Sequence, residues 1–381
     1  MTELILFGLL AAVIAGLVTS TSVGFVSRLA MAFRAVDYPG GRRGHDSAVP
    51  RLGGLAIGLG LFFGAGSVAL LQWGEWGGRV VRSELAAFVL ASGIIFLLGL
   101  VDDLVGVSIS RKFTVETLAA VLIVWLGWHF TALGLPTGRS LELGAVGYVL
   151  TVVWIVGVTN AVNLLDGLDG LAGGVVGIIA VTYLVYAVLQ GNPLTVVLMA
   201  GIAGSCLGFL RHNARGQIFL GDAGSLLLGF ILATMSVHSS LKASAAVAIM
   251  VPLLALGVPI IDTVLVMVVR FLEGPEDPGT ERFLRMFRAD RNHLHHLLLS
   301  LARSRALVVR MIYLMVVLAC LFAITVAVAK SLTVGLIMLV VELVAVAVIR
   351  RFGFAARLRE MSEARRQEVR VLLVEEGTPG A

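Results

Sequence analysis

Residues 85–103 read Leu85-Ala-Ala-Phe-Val-Leu-Ala-Ser-Gly-Ile-Ile-Phe-Leu-Leu-Gly-Leu-Val101-Asp102-Asp103. No charge interrupts the stretch from Leu85 to Val101, and then two carboxylates arrive together. A helix needs about 17–25 apolar residues to cross the hydrocarbon core of a bilayer. The run therefore reads as a short membrane span that ends at an acidic membrane edge. Similar runs lie on either side, at 4–26, 52–72, 115–133, 143–162, 170–190, 194–211, 224–239, 243–270, 306–328 and 332–349. The expected fold is all-α, a polytopic integral membrane protein with eleven spans and its two ends on opposite sides.

Composition says the same. Of the 381 residues, 58% are hydrophobic and 14% charged, against about 45–50% and about 25% in globular domains. The mean hydropathy is +0.98. A soluble multidomain chain, a disordered chain and a coiled coil are excluded. Cys206 and Cys320 both lie within apolar runs, so a disulfide framework or a cysteine metal site is not expected.

The basic residues orient the spans. Of the 29 Lys and Arg, 24 fall in alternate gaps and the C-terminal stretch, and the other side holds only Arg79, Arg82, Arg139, Lys242 and Lys330. By the positive-inside rule the N-terminus lies outside and the C-terminus in the cytoplasm. The net charge of +5 thus reflects membrane orientation and calls for no nucleic acid. The first run has no basic residue before it and reads as a span, not as a cleaved signal. Residues 1–350 form the expected transmembrane domain. Residues 351–381 form a cytoplasmic tail, read as a helix lying near the headgroups.

Residues with catalytic potential gather in the basic gaps. The first contains Arg42-Arg43-Gly-His45 and then Pro50-Arg51-Leu-Gly53-Gly54; the third opens on Asp102-Asp103 and ends on Arg111-Lys112. The fifth contains Asn160-x-x-Asn163-x-x-Asp166-Gly-x-Asp169-Gly, whose spacing of three aligns polar groups on one face where it is helical. The seventh has Asn213 and then Phe219-Leu-Gly-Asp222-Ala-Gly-Ser225, and the ninth has Asp290-Arg291-Asn-His293-Leu-His295-His296. Adjacent carboxylates at a membrane edge are costly unless a cation or solvent stabilises them. A hard cation such as Mg²⁺ favours a few carboxylates, water and substrate phosphates. Aspartates with arginines and histidines nearby fit a metal-assisted diphosphate site. Asp262, inside the ninth run after Pro252 and Pro259, is either functional or a partner for a broken helix. Glu116 and Glu342 read as snorkelling or paired near span ends, and His129 and His238 as interfacial.

These five segments, in this order, resemble the polyprenyl-phosphate N-acetylhexosamine-1-phosphate transferases, a family related to phospho-MurNAc-pentapeptide translocase. The resemblance spans roughly residues 34–310. It implies transfer of N-acetylhexosamine-1-phosphate from a UDP-sugar to a polyprenyl phosphate, undecaprenyl or decaprenyl. The products are the lipid diphosphate-sugar and UMP, at the first membrane step of cell-envelope polysaccharide synthesis. Mg²⁺ is the implied cofactor, with Mn²⁺ as substitute. The resemblance implies catalytic roles for Asp102, Asp103, His295 and His296, and metal ligation by Asp222 and Asp103. It implies substrate contacts for His45, Arg51, Lys112, Asn160, Asn163, Asp166, Asp169, Asn213, Arg291 and His293. The run His293-Leu-His295-His296 resembles the GlcNAc-1-phosphate branch, whereas the muramoyl-pentapeptide branch would show three consecutive histidines. Ala48 and the 213–217 stretch depart from the family pattern. The competing readings are the pentapeptide transferase, a CDP-alcohol phosphotransferase and an ion-coupled transporter. Self-association into a homodimer stays open.

Overall fold

The computed structural model describes residues 1–38, 48–71, 82–135, 139–241, 248–272, 293–302 and 304–376. In chain order the helices are α1 (Thr2–Ala32), α2 (Gly53–Leu71), α3 (Arg82–Val105), α4 (Ile109–Trp125), α5 (Ala145–Leu165), α6 (Leu171–Gln190) and α7 (Pro193–Asn213). They continue with α8 (Gly221–Ser240), α9 (Met250–Ala255), α10 (Gly257–Leu272), α11 (Leu294–Leu301), α12 (Arg305–Ala329) and α13 (Leu332–Glu376). Among the described residues the strands are two short antiparallel pairs. One is β1 (Val36–Asp37) with β2 (Val49–Pro50), the other β3 (Ala132–Gly134) with β4 (Ser140–Glu142).

The bundle is built around α8. Every residue of that helix is buried except Asp222 in its first turn. Helices α2, α3, α5, α6 and α7 surround it. Apolar side chains alone gain little by leaving lipid for protein, so such helices associate through close packing and small residues. Helix α1 meets α7 in this way: a Cβ on Gly204 would run into the backbone of Ala12.

Nine helices among the described residues are long and apolar enough to cross a bilayer, against eleven expected spans. The other two expected spans differ from a plain crossing helix. Helix α4 has only 17 residues. The run expected at 243–270 is broken, with α9 ending before Leu256 and α10 beginning at Gly257. Pro259 lies in the first turn of α10, where a missing N–H costs little. The carboxylate of Glu342 on α13 packs against Gly257 at this break and is buried, so it neither snorkels nor sits at a span end.

Helix α13 runs through residue 350 without interruption. Its 45 residues extend about 68 Å at 1.5 Å per residue, more than twice the ~30 Å hydrocarbon core.

Candidate active site

The first and seventh gaps are joined by backbone. Phe219 N–H donates to Pro50 O at 2.8 Å, Gly53 N–H to Phe219 O at 3.0 Å, and Gly54 N–H to Leu220 O at 2.7 Å. This short ladder leads directly into α8. Gly221 sits at φ +73°, in the left-handed region, and a side chain there would meet both Arg51 O and the Asp103 carboxylate. Gly54 on α2 and Gly99 on α3 let both helices approach the first turn of α8, since a Cβ on either would overlap its backbone.

Asp102 and Asp103 part company at this junction. The Asp103 carboxylate is buried and accepts the backbone N–H of Asp222 on Oδ1 and of Ala223 on Oδ2, both at 2.9 Å. It caps α8 from another helix, where the first N–H groups lack intrahelical partners and the dipole favours an anion. Asp102 turns the other way. One oxygen accepts from Val107 N–H and the other pairs with Lys112 Nζ. Lys112, near the start of α4, also pairs with Asp222 Oδ2. Two carboxylates from different helices therefore converge on one ammonium, at the single residue of α8 that is not buried.

Helix α5 supplies the adjoining wall. Asn163 Nδ2–H donates to Ser225 Oγ at 2.8 Å, and the same amide faces Asp222. One turn earlier, Asn160 Nδ2–H donates to the Glu116 carboxylate. Glu116 is buried on the same face of α4 as Lys112, four residues on, a spacing that marks neighbours on a helix. That spacing is the signal that the span-end reading of Glu116 missed.

The fifth and ninth gaps meet beyond Asn163. A Cβ on Gly167 would overlap Nε2 of His295, so the His295 ring lies directly against the turn holding Asp166 and Asp169. His296 packs on His295 with ring centroids 4.2 Å apart. His293 has Nδ1 3.0 Å from Asp262 Oδ2. Expected to meet substrate, it shares the Asp262 carboxylate with the Leu294 N–H at the start of α11. Asn213 likewise uses its buried amide on backbone: Oδ1 accepts Gly170 N–H at 2.8 Å and Nδ2–H donates to Ile218 O at 2.7 Å. Arg51 is half-buried beside the Gly221 junction, with its N–H bonded to Ala35 O at 2.9 Å. His45 and Arg291 lie outside the described residues. Tyr313, which no sequence pattern singles out, donates its hydroxyl to Gly170 O.

The donor set suits a hard cation. Asp102 and Asp222 already place oxygens around one positive group, and among the described residues no cluster of three or more His, Cys, Asp or Glu could form an all-protein cage. A Mg²⁺-like ion uses few carboxylates and completes its shell with water and phosphate. Of the expected Asp222 and Asp103 pair, each Asp103 oxygen accepts a backbone N–H of α8, and Asp102 shares Lys112 with Asp222.

Comparison with known proteins bears on this site. Residues 85–240 match Glycosyl transferase family 4, a stretch that carries Asp102, Lys112, Asn163 and Asp222. A Bacillus subtilis protein named "Probable undecaprenyl-phosphate N-acetylglucosaminyl 1-phosphate transferase" is 35% identical over 83% of each chain. The decaprenyl-phosphate N-acetylglucosaminephosphotransferase of Mycolicibacterium smegmatis is 34% identical over 82% of this chain and 80% of its own. The undecaprenyl-phosphate alpha-N-acetylglucosaminyl 1-phosphate transferase of Escherichia coli is 24% identical over 74% of each.

Proposed function

The chain belongs to glycosyl transferase family 4, among its polyprenyl-phosphate N-acetylglucosamine-1-phosphate transferases, and from that premise we propose that it draws on UDP-N-acetylglucosamine at the cytoplasmic face of the plasma membrane. It transfers N-acetylglucosamine-1-phosphate to a polyprenyl phosphate. In the proposed reaction an acceptor phosphate oxygen forms a bond to the sugar-bearing phosphorus, the bond to the uridylyl phosphate oxygen breaks, and UMP leaves. The observation that carries this reading is the convergence of Asp102, Lys112 and Asp222 at the one residue of α8 that is not buried.

The chemistry brings two anions together at headgroup level. Lys112 offsets part of their repulsion, and its flexible stem lets it follow a phosphate. Asp102 takes the residual proton of the acceptor phosphate, keeping the nucleophile ionised. Asn163 and Asp222 define the wall against which the donor diphosphate lies. His295 and His296, beside Asp166 and Asp169, offer N–H donors to the charge that develops on departing UMP. Asp222 and Asp102 are the residues that would hold Mg²⁺ or Mn²⁺, which would supply the remaining charge neutralisation. The cytoplasmic assignment is supported by the 24-to-5 distribution of Lys and Arg and by the meeting of the five basic gaps.

Purified protein supplied with UDP-N-acetylglucosamine, Mg²⁺ and a short polyprenyl phosphate tests this reading. UMP and lipid-linked sugar should form in equal amounts. Release of UDP would indicate transfer of the sugar without its phosphate and would overturn the proposed bond cleavage. UDP-MurNAc-pentapeptide should not turn over, in keeping with the run His293-Leu-His295-His296.

A further inference from the structure

Arg350 is one of 24 basic residues that the orientation rule explains without assigning any of them a task. Its surroundings are not those of an anchor. It is buried, and its guanidinium pairs with Asp262 Oδ1 from α10. The same Asp262 carboxylate takes two further partners: His293 Nδ1 at 3.0 Å and the backbone N–H of Leu294 at 2.9 Å. Three segments thus meet on one carboxylate: α10, the start of α11 and the last span.

Leu294 opens α11, the eight-residue helix that carries His295 and His296. Asp262 holds that helix at its N-terminus and, through His293, at the residue before it. The rings of His293 and His295 lie nearly parallel, 9° apart with centroids separated by 6.1 Å. His295 in turn rests on Gly167, in the turn after Asn163. An unbroken set of contacts therefore runs from Arg350 through Asp262 to the histidine pair. Removing one partner of a buried ion pair leaves an uncompensated charge, so the Arg350 guanidinium is part of what keeps this junction in place.

We infer that Arg350 is a positioning residue for the transfer reaction, acting through Asp262 to set His295 and His296 against the Asn163–Gly167 turn. The inference rests on the transferase reading above and adds to it that the final span helps to shape the site. Helix α11 also packs directly on α13, so a shift of the last span moves the histidine helix.

The test is a kinetic comparison of full-length Arg350→Ala and Arg350→Lys, each made in the wild-type and His295→Ala backgrounds, with exposed Arg351→Ala as control. A misplaced catalytic group costs up to about 100-fold, so Arg350→Ala should lower kcat by about 10-fold to 100-fold. KM for the UDP-sugar should stay within about threefold, the pattern of a contact made only in the transition state. Arg350→Lys should recover much of the loss. In the His295→Ala background, replacing Arg350 should lower the residual rate by less than about twofold, because the group it positions is gone. A full multiplicative loss in that background, or normal kcat in Arg350→Ala, would overturn the inference. If Arg350→Ala does not fold, the same two-background comparison with Arg350→Gln, which removes the charge and keeps most of the stem, decides between these outcomes. Absence of UMP release by the wild-type protein would instead overturn the transferase reading, and this inference with it.

Discussion

Among the described residues, the Asp102–Asp222 pair and Asp262 are held by different cations. Asp102 and Asp222 share Lys112, and the three side chains keep 12%, 22% and 20% of their surface exposed. Asp262 is held by Arg350 and His293, and these three side chains are 7%, 11% and 7% exposed. A lysine ammonium is a point charge on a flexible stem and can give way to another cation. An arginine guanidinium is a rigid fork that fixes its partner's geometry. On the proposed reading, the first group exchanges its counter-ion and the second keeps it. The lesson is that a membrane-embedded aspartate is read by what neutralises it and by whether water reaches the pair. Lack of charge elsewhere in the span does not decide its role.

The largest effect that could break this contrast is removal of the exchangeable cation. Chelation with EDTA should abolish UMP release, and added Mg²⁺ or Mn²⁺ should restore it. Turnover that persists in EDTA would place the chemistry on Lys112 and the histidines alone. Next in size, Asp222→Asn should lower turnover by about 1,000-fold or more, which is about 4 kcal/mol of transition-state stabilisation. The protein should still elute as a folded species, since Asp222 is the one residue of α8 outside the buried set.

Asp103→Asn gives a smaller effect of another kind. An amide can accept one of the two α8 N–H groups but offers a donor to the other, so a charged hydrogen bond worth about 1.5–3 kcal/mol is lost. Thermal unfolding should therefore report a lower Tm, while turnover falls far less than in Asp222→Asn. Equal loss of activity in both variants would dissolve the distinction between Asp102 and Asp103. A labelling experiment sharpens the contrast without touching either group. A single cysteine near Arg43 should react only from the cytoplasmic side, and one near Arg139 only from outside. Labelling near Arg43 from outside would move the whole site to the other face.

The membrane class and the gathering of the site are legible from apolar run length and from the clustering of Asp, Asn and His in alternate gaps. Runs at 85–101 and 224–239 coincide with α3 and α8, because a span has few ways to satisfy its backbone other than a helix. The break at Leu256 is less visible, although Pro252 and Pro259 mark its neighbourhood. The roles of neighbouring residues are least legible. Asp102 and Asp103 are identical in sequence terms, and only the 100° turn between consecutive helical residues sends one to Lys112 and the other to the α8 N-terminus. Arg350 reads as one more cytoplasmic charge because Asp262, its partner, is 88 residues away. Glu116 stands four residues from Lys112, a spacing that can be read, but its partner Asn160 comes from another helix.

The central claim, that Asp102 and Asp222 form the exchangeable cation site while the Asp262 group does not, is tested most directly by Mn²⁺ binding. Electron paramagnetic resonance titration of Mn²⁺ into the purified wild-type, Asp102→Asn, Asp222→Asn and Arg350→Lys proteins, each with UDP-N-acetylglucosamine present, separates the two groups. The account predicts a bound-Mn²⁺ signal in the wild type and in Arg350→Lys, and its loss in both aspartate variants. Undiminished Mn²⁺ binding in Asp102→Asn and Asp222→Asn would contradict it.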